Sequence, residues 1–216
     1  VVGHLGQADE QLARHAAEQL AGRIDDLLHR HIAAQQQLAA TPLLDGPPGP
    51  GFDRSARFVQ QQLGSHLILA DAQGQMLVHT GAPAGRPLPR LPVPAAGGRA
   101  AAPRALASGQ PAVGDLVQGP LVQRPLVAVA VPVLRDGQPP RVLLSTMEAA
   151  RFQPLLHLGS LPADWQVLLL DSTGQRIAAN LRHDQLDDEI SERTLEDPDA
   201  VMPFGDALRV LWKLTL

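Results

Sequence analysis

Residues 67–80 read LILADAQGQMLVHT, and residues 167–180 read VLLLDSTGQRIAAN. Asp71 matches Asp171, Gly74 matches Gly174 and Gln75 matches Gln175, all at one offset. Each copy is an apolar strand, a D-x-x-G turn and a second strand. The short Asp side chain can accept from backbone N–H groups just ahead of it, and Gly supplies the positive φ that lets the chain reverse. An isolated hairpin cannot bury its apolar face. Two copies therefore predict two small antiparallel sheets, and with them two related modules in one chain.

The wider composition suits that reading. The chain has 216 residues, 44% of them apolar, which is enough for a core in one large or two small domains. The formal net charge of −4 argues against a nucleic-acid surface. Without cysteine there is no disulfide or thiol chemistry. No apolar run is long enough to span a bilayer. Because the chain starts at Val1 and ends on LWKLTL, it reads as a segment excised from between flanking membrane helices.

Residues 4–40 predict one long helix. Leu5, Leu12, Leu20, Ile24, Leu27, Leu28, Ile32 and Leu38 recur at helical spacing, and no proline appears before Pro42. TPLLDGPPGPG (41–51) breaks it. A short helix follows, with Asp53 as its cap, Phe58, Val59 and Leu63 as its apolar side, and Gly64 as its end. After the first hairpin, residues 81–98 hold five prolines and form an irregular excursion. Pro103 to Ser108 is a helical turn stopped by Gly109. PAVGDLVQG (111–119) reads as one strand, RPLVAVAVPVL (124–134) as the strongest strand and RVLLSTM (141–147) as the next, with a helix from Glu148 to Leu158. Small Ala128 and Ala130 leave space on one face of the central strand, to be filled by a helix or by a ligand. The second hairpin precedes an acidic stretch, 181–200, and an alternating final strand, 207–216.

Three stretches carry a resemblance. SGQPAVGDLVQGPLVQRPLVAVAVPVLRDG (108–137) has a helix end, G-x-P, and G-P-x-x-x-R-P leading into a strand that closes on V-P-V. MEAARFQPLL (147–156) resembles the helix after the last distal strand. LPADWQVLLLDSTGQRIA (161–178) resembles the entry to a proximal module. Together they are similar to the double Cache, PAS-like sensor domains of bacterial membrane receptors. The resemblance implies an α+β fold: a long N-terminal helix (1–40), a larger membrane-distal module (41–158) and a smaller proximal one (159–216). It implies a periplasmic position between two membrane spans, dimerisation through the N-terminal helix, and a small-molecule ligand in the distal module. The valine-rich strand is most similar to the sensor of a histidine kinase in a two-component system. The alternative is a ligand-free interaction module of a chemotaxis transducer or a diguanylate cyclase. The chain departs from the family's amino-acid-binding pattern in having no tyrosine, and in having Thr146 or a neighbour where an acidic residue would sit.

No enzyme signature appears: the chain lacks G-x-S-x-G, a P-loop and H-E-x-x-H. His29 and His31 are two apart on a helix and face different directions. The acids at 184–199 match no calcium loop, and no cofactor is expected. Ligand candidates are polar groups near the strands. Arg124, Arg104 and Arg86 could clamp a carboxylate bidentately, with Arg124 first because it opens the central strand. Asp115 could accept from an amine or fix Arg124, His79 could titrate near neutral pH, and Thr146 lies in the last distal strand, where the family has an acidic residue. The expected ligand is therefore a small anion, with a carboxylate as the leading class.

Overall fold

In the computed structural model, residues 6–162 and 165–180 are described, together with the backbone of two further strands, Val201–Pro203 and Lys213–Thr215. The chain divides into two compact units, one of residues 27–149 and one of residues 1–26 with 150–216. The acidic stretch and most of the final strand lie outside the described residues.

The expected N-terminal helix is α1 (Gln7–Ala39). Leu20, Ile24, Leu27, Leu28, Ile32 and Leu38 are buried, in keeping with their spacing. His31 is buried and His29 is exposed, so the two do face different ways. A 3-10 turn (Pro42–Leu44) follows. The next helix, α2 (Pro50–Leu63), starts earlier than the sequence suggests. Gly49 is its N-cap and Pro50 fills its first turn, where a missing N–H costs nothing. Asp53 lies inside that turn and pairs with Arg57 at 2.8 Å. The buried side is Phe52 and Ala56, while Phe58 is 61% exposed. Gly64 ends the helix in the left-handed region, as expected.

The larger sheet lies in the unit of residues 27–149. Its strands are β1 (His66–Asp71), β2 (Met76–His79), β3 (Ala112–Val113), β4 (Val117–Gln118), β5 (Pro125–Val133) and β6 (Arg141–Glu148), in the order β2-β1-β6-β5-β3, with β4 also paired to β5. All pairings are antiparallel. Residues 111–119 form two short strands and not one. Gly114 N–H still reaches the Ala128 carbonyl at 2.9 Å, but Asp115 turns away to exchange backbone and side-chain bonds with Arg99. That exchange depends on a residue 16 positions back, which no local pattern announces.

The strands alternate between two faces. On one, α3 (Ala101–Ser108) packs its alanines on Ile68, Ala70, Ala130, Val142 and Leu144. On the other, α1 is held by buried polar groups. His31 Nδ1 is 2.9 Å from Ser145 Oγ, and that hydroxyl donates to Gln35 Oε1 at 2.9 Å. Gln35 Nε2 donates to the carbonyls of Val129 and Leu143, each at 2.9 Å. A fully satisfied buried network of this kind fixes how a helix sits on its sheet.

In the other unit, β7 (Leu168–Leu170), β8 (Arg176–Ala179), β9 (Val201–Pro203) and β10 (Lys213–Thr215) form a four-stranded sheet in the order β8-β7-β10-β9. The helix expected over 148–158 is a 3-10 helix (Ala149–Leu156) with Pro154 inside it, Glu148 still belonging to β6. Arg23 donates to the carbonyls of Leu155 and His157 at 3.3 and 2.7 Å, closing its last turn.

Candidate ligand-binding site

The α3 face of the larger sheet holds a cavity of about 210 Å³. Its existence follows from side-chain size. Ala130 is buried in the cluster with α3, and Ala128, two residues earlier on β5, packs at the edge of that cluster and lines the cavity. The space the small alanines leave is thus filled by α3 over Ala130 and left partly open beside Ala128. Ile68, Met76, Leu126 and Leu144 extend the floor. The excursion contributes Leu91, Pro92 and Val93, α3 contributes Pro103 and Leu106, and the β4–β5 loop adds Leu121 and Val122. An apolar cavity of roughly 150 Å³ accepts benzene, so this one accepts a molecule a few heavy atoms larger.

The polar groups gather at separate places in this apolar chamber. His66, His79 and Thr146 line one part. The two imidazole centroids are 5.5 Å apart. His79 Nδ1 accepts the Gly81 N–H at 3.0 Å, and burial pushes its imidazole down from 6.5 to about 4, with His66 adding to the shift. Nδ1 of His66 is buried without a hydrogen-bond partner. Gly81 makes room for the His66 ring, since a Cβ there would lie 2.6 Å from it. Asp115, buried, lines another part, and its Oδ2 accepts the Arg99 N–H at 2.7 Å. Asp71 borders the cavity from the hairpin turn, where its Oδ1 accepts from Gln73 and Gln75.

Of the six residues singled out in the sequence, His79, Asp115 and Thr146 line the cavity, while Arg124, Arg104 and Arg86 do not. Arg124 forms an exposed ion pair with Glu148 at 3.0 Å, across the β5–β6 pair. Arg104 donates to the Val113 carbonyl at 2.9 Å, and burial lowers its pKa, with the Arg99 charge second. Arg86 is exposed on the excursion. Among the described residues no Arg or Lys lines the cavity, so its described wall does not supply the cationic partner that an anionic ligand requires. His66 was not singled out in the sequence. The signal for it was available: it precedes the first repeat by one residue, on the strand that pairs with His79. Among the described residues, no group of three or more His, Cys, Asp or Glu is placed to hold a metal.

No family model matches the chain, and no curated protein matches its sequence. Solved structures do match its fold. The ligand-binding domain of the Pseudomonas fluorescens chemoreceptor CtaA, with L-valine, is 15% identical, with a TM-score of 0.65 over 96% of this chain and 95% of that one. The ligand-binding domain of the Pseudomonas aeruginosa PAO1 amino-acid chemoreceptor PctB, with L-Arg, is 17% identical, with a TM-score of 0.64 over 95% and 92%. That of the Campylobacter jejuni chemoreceptor Tlp3, with L-valine, is 11% identical, with a TM-score of 0.55 over 98% and 91%. The α+β architecture, with its long N-terminal helix and antiparallel sheets, is thus a fold shared with these chemoreceptor ligand-binding domains.

Proposed function

We propose that this chain is the extracytoplasmic sensory domain of a bacterial membrane receptor, and that residues 41–158 form its membrane-distal, ligand-binding module. The carrying observation is the cavity: a chamber of about 210 Å³ with apolar walls and a few convergent polar groups, the usual make-up of a small-molecule site. The fold shared with chemoreceptor domains crystallised with amino acids supports the same reading. The wall carries Asp71 and Asp115 and no guanidinium, which shifts the expected ligand from a simple anion to a zwitterion or an amine. Occupancy acts on α1 through the sheet. Thr146 faces the cavity while its neighbour Ser145 is bonded to His31 and to Gln35 of α1. A ligand shifts the helix only by its difference in affinity for two arrangements of that network. The parent is a chemotaxis transducer or a sensor histidine kinase, paired through α1, with the smaller sheet as the proximal module.

The test is calorimetric titration with L-valine, L-glutamine, L-arginine and 4-aminobutyrate, repeated on Ala128→Leu, whose added carbons occupy the cavity. Saturable binding lost in the variant is the expected result. Binding that the variant leaves unchanged places the ligand elsewhere and overturns the reading. Sedimentation of the fragment with and without ligand checks the pairing of two copies.

A further inference from the structure

We propose that His66, His79 and Thr146 form the specificity end of the cavity, and that they select a ligand whose far end is an uncharged group able both to donate and to accept, a primary carboxamide. This rests on the reading of the cavity as the ligand site. Three neighbouring strands bring the cluster together: His79 comes from β2, His66 from β1 and Thr146 from β6. His66 stands opposite Thr146. His79 stands opposite Ile68, two residues along β1 from His66 and so on the same face. The imidazole centroids are 5.5 Å apart. Thr146 in turn stands opposite Ala128, a small apolar residue over which a ligand's stem can lie. All four residues line the cavity.

Hydrogen-bonding capacity sets the class. His79 Nδ1 accepts the Gly81 N–H, so the ring proton sits on Nε2 and this member is a donor. No protein partner fixes the tautomer of His66, whose Nδ1 is buried without one, so its Nε2 can donate or accept. The Thr146 hydroxyl rotates to do either. Among the described residues, none bonds Thr146 Oγ1 or either Nε2. One fixed donor beside two adaptable groups matches a carboxamide, which brings a carbonyl acceptor and an NH2 donor. Burial holds the His79 imidazole down at about 4, so this ring is neutral at pH 7. An ionised end placed here would lose its water without gaining a counter-charge. An alkyl end would leave the cluster's own groups dry and unbonded. The ligand's charged head keeps its hydration where the wall reaches solvent, beside Val93 and Leu121, which are 85% and 41% exposed.

Calorimetric titration with L-glutamine, L-glutamate, L-norleucine and L-lysine tests this. The four share one head group, so how the protein meets the head cancels from the comparison. L-glutamine should bind about tenfold or more tighter than each of the others, because a site built to bond a polar group rejects analogues that lack it. Thr146→Val keeps the β-branched shape and removes only the hydroxyl. It should weaken L-glutamine about threefold to tenfold and leave L-norleucine unchanged, with a melting temperature taken to show that the variant is folded. Any of the other three matching L-glutamine, none of the four binding, or a glutamine-to-norleucine ratio unmoved by Thr146→Val overturns the proposal. The wild-type order stands as a test even if the variant is unstable. L-glutamine binding that persists in Ala128→Leu instead overturns the cavity reading beneath it. L-valine binding abolished by Ala128→Leu, with no preference for L-glutamine, keeps that reading while this inference falls.

Discussion

Asp71 and Asp171 make the same turn in two different sheets. Each Oδ1 accepts from the backbone N–H two and four residues ahead, at 3.0 and 2.8 Å in the first hairpin and 2.9 and 3.0 Å in the second. Gly74 and Gly174 sit at φ +81° and +84°. Both hairpins slip register at the same point, after Leu69 and after Leu169. Even the far ends agree: Thr80 Oγ1 and Asn180 Oδ1 each accept the N–H of Leu67 and Val167, at 2.9 Å. The difference lies on the sheet surface. Where the first hairpin carries His66, Met76 and His79, the second carries Gln166, Arg176 and Ala179. The backbone device was kept while the side chains that could meet a ligand changed. Turn and surface are therefore separable, and mutation should separate them.

The largest effect is expected at the turn aspartates, and it should be unequal. Asp171 is fully buried and also accepts the Thr173 hydroxyl at 2.7 Å, whereas Asp71 is half-buried with two turn bonds. Bonds to a charged acceptor contribute about 1.5–3 kcal/mol, and removing a buried acceptor strands its donors. Asp171→Ala should therefore cost about 2–4 kcal/mol and Asp71→Ala about 1–2 kcal/mol. Urea unfolding followed by fluorescence and by circular dichroism reads both, and equal costs would show that burial does not distinguish the two turns.

The glycines should behave alike. A Cβ on Gly74 would meet nothing closer than Leu91 at 3.9 Å, so the cost of substitution is conformational and not steric. A β-branched residue in the left-handed region costs on the order of 1–3 kcal/mol. Gly74→Val and Gly174→Val should each lose about that much by the same measurement. A neutral Gly74→Val would mean that the turn relaxes to negative φ, and the equivalence of the hairpins would fail there.

These contrasts also show what could be read from sequence. D-x-x-G is local chemistry, and every bond that defines it spans four residues or fewer, so both hairpins were legible. So was α1, whose apolar spacing is its own signal. The cavity was half legible. Thr146 and His79 follow from strand position, and Asp115 from its charge among apolar neighbours. The arginines lie outside the cavity because a guanidinium takes whichever acceptor tertiary structure brings near. Arg124 finds Glu148, 24 residues away, and Arg104 finds the Val113 carbonyl. The break between β3 and β4 was hidden for the same reason, since it depends on Arg99 and Ala128.

The smallest effect is the most specific to one hairpin. His79 is held neutral by burial, its pKa lowered from 6.5 to about 4. Between those values the unfolded chain takes up a proton at this position and the folded chain does not. The unfolded state then binds more protons, so stability falls as pH drops from 6.5 towards 4 and is fully present above 6.5. Allowing for partial solvent screening, the loss attributable to this ring is on the order of 1–2 kcal/mol. The second hairpin has Ala179 at the equivalent position and can contribute nothing of the kind. His79→Ala makes the first hairpin match the second at this site. The difference in unfolding free energy between wild type and variant, followed from pH 7 to pH 4.5, isolates the ring from every other titrating group. That difference should shift steadily in favour of the variant as the pH falls. A constant offset across the range would mean that the folded protein accommodates a charged His79, through solvent entry or a turned ring, and that the cavity wall is not held neutral there.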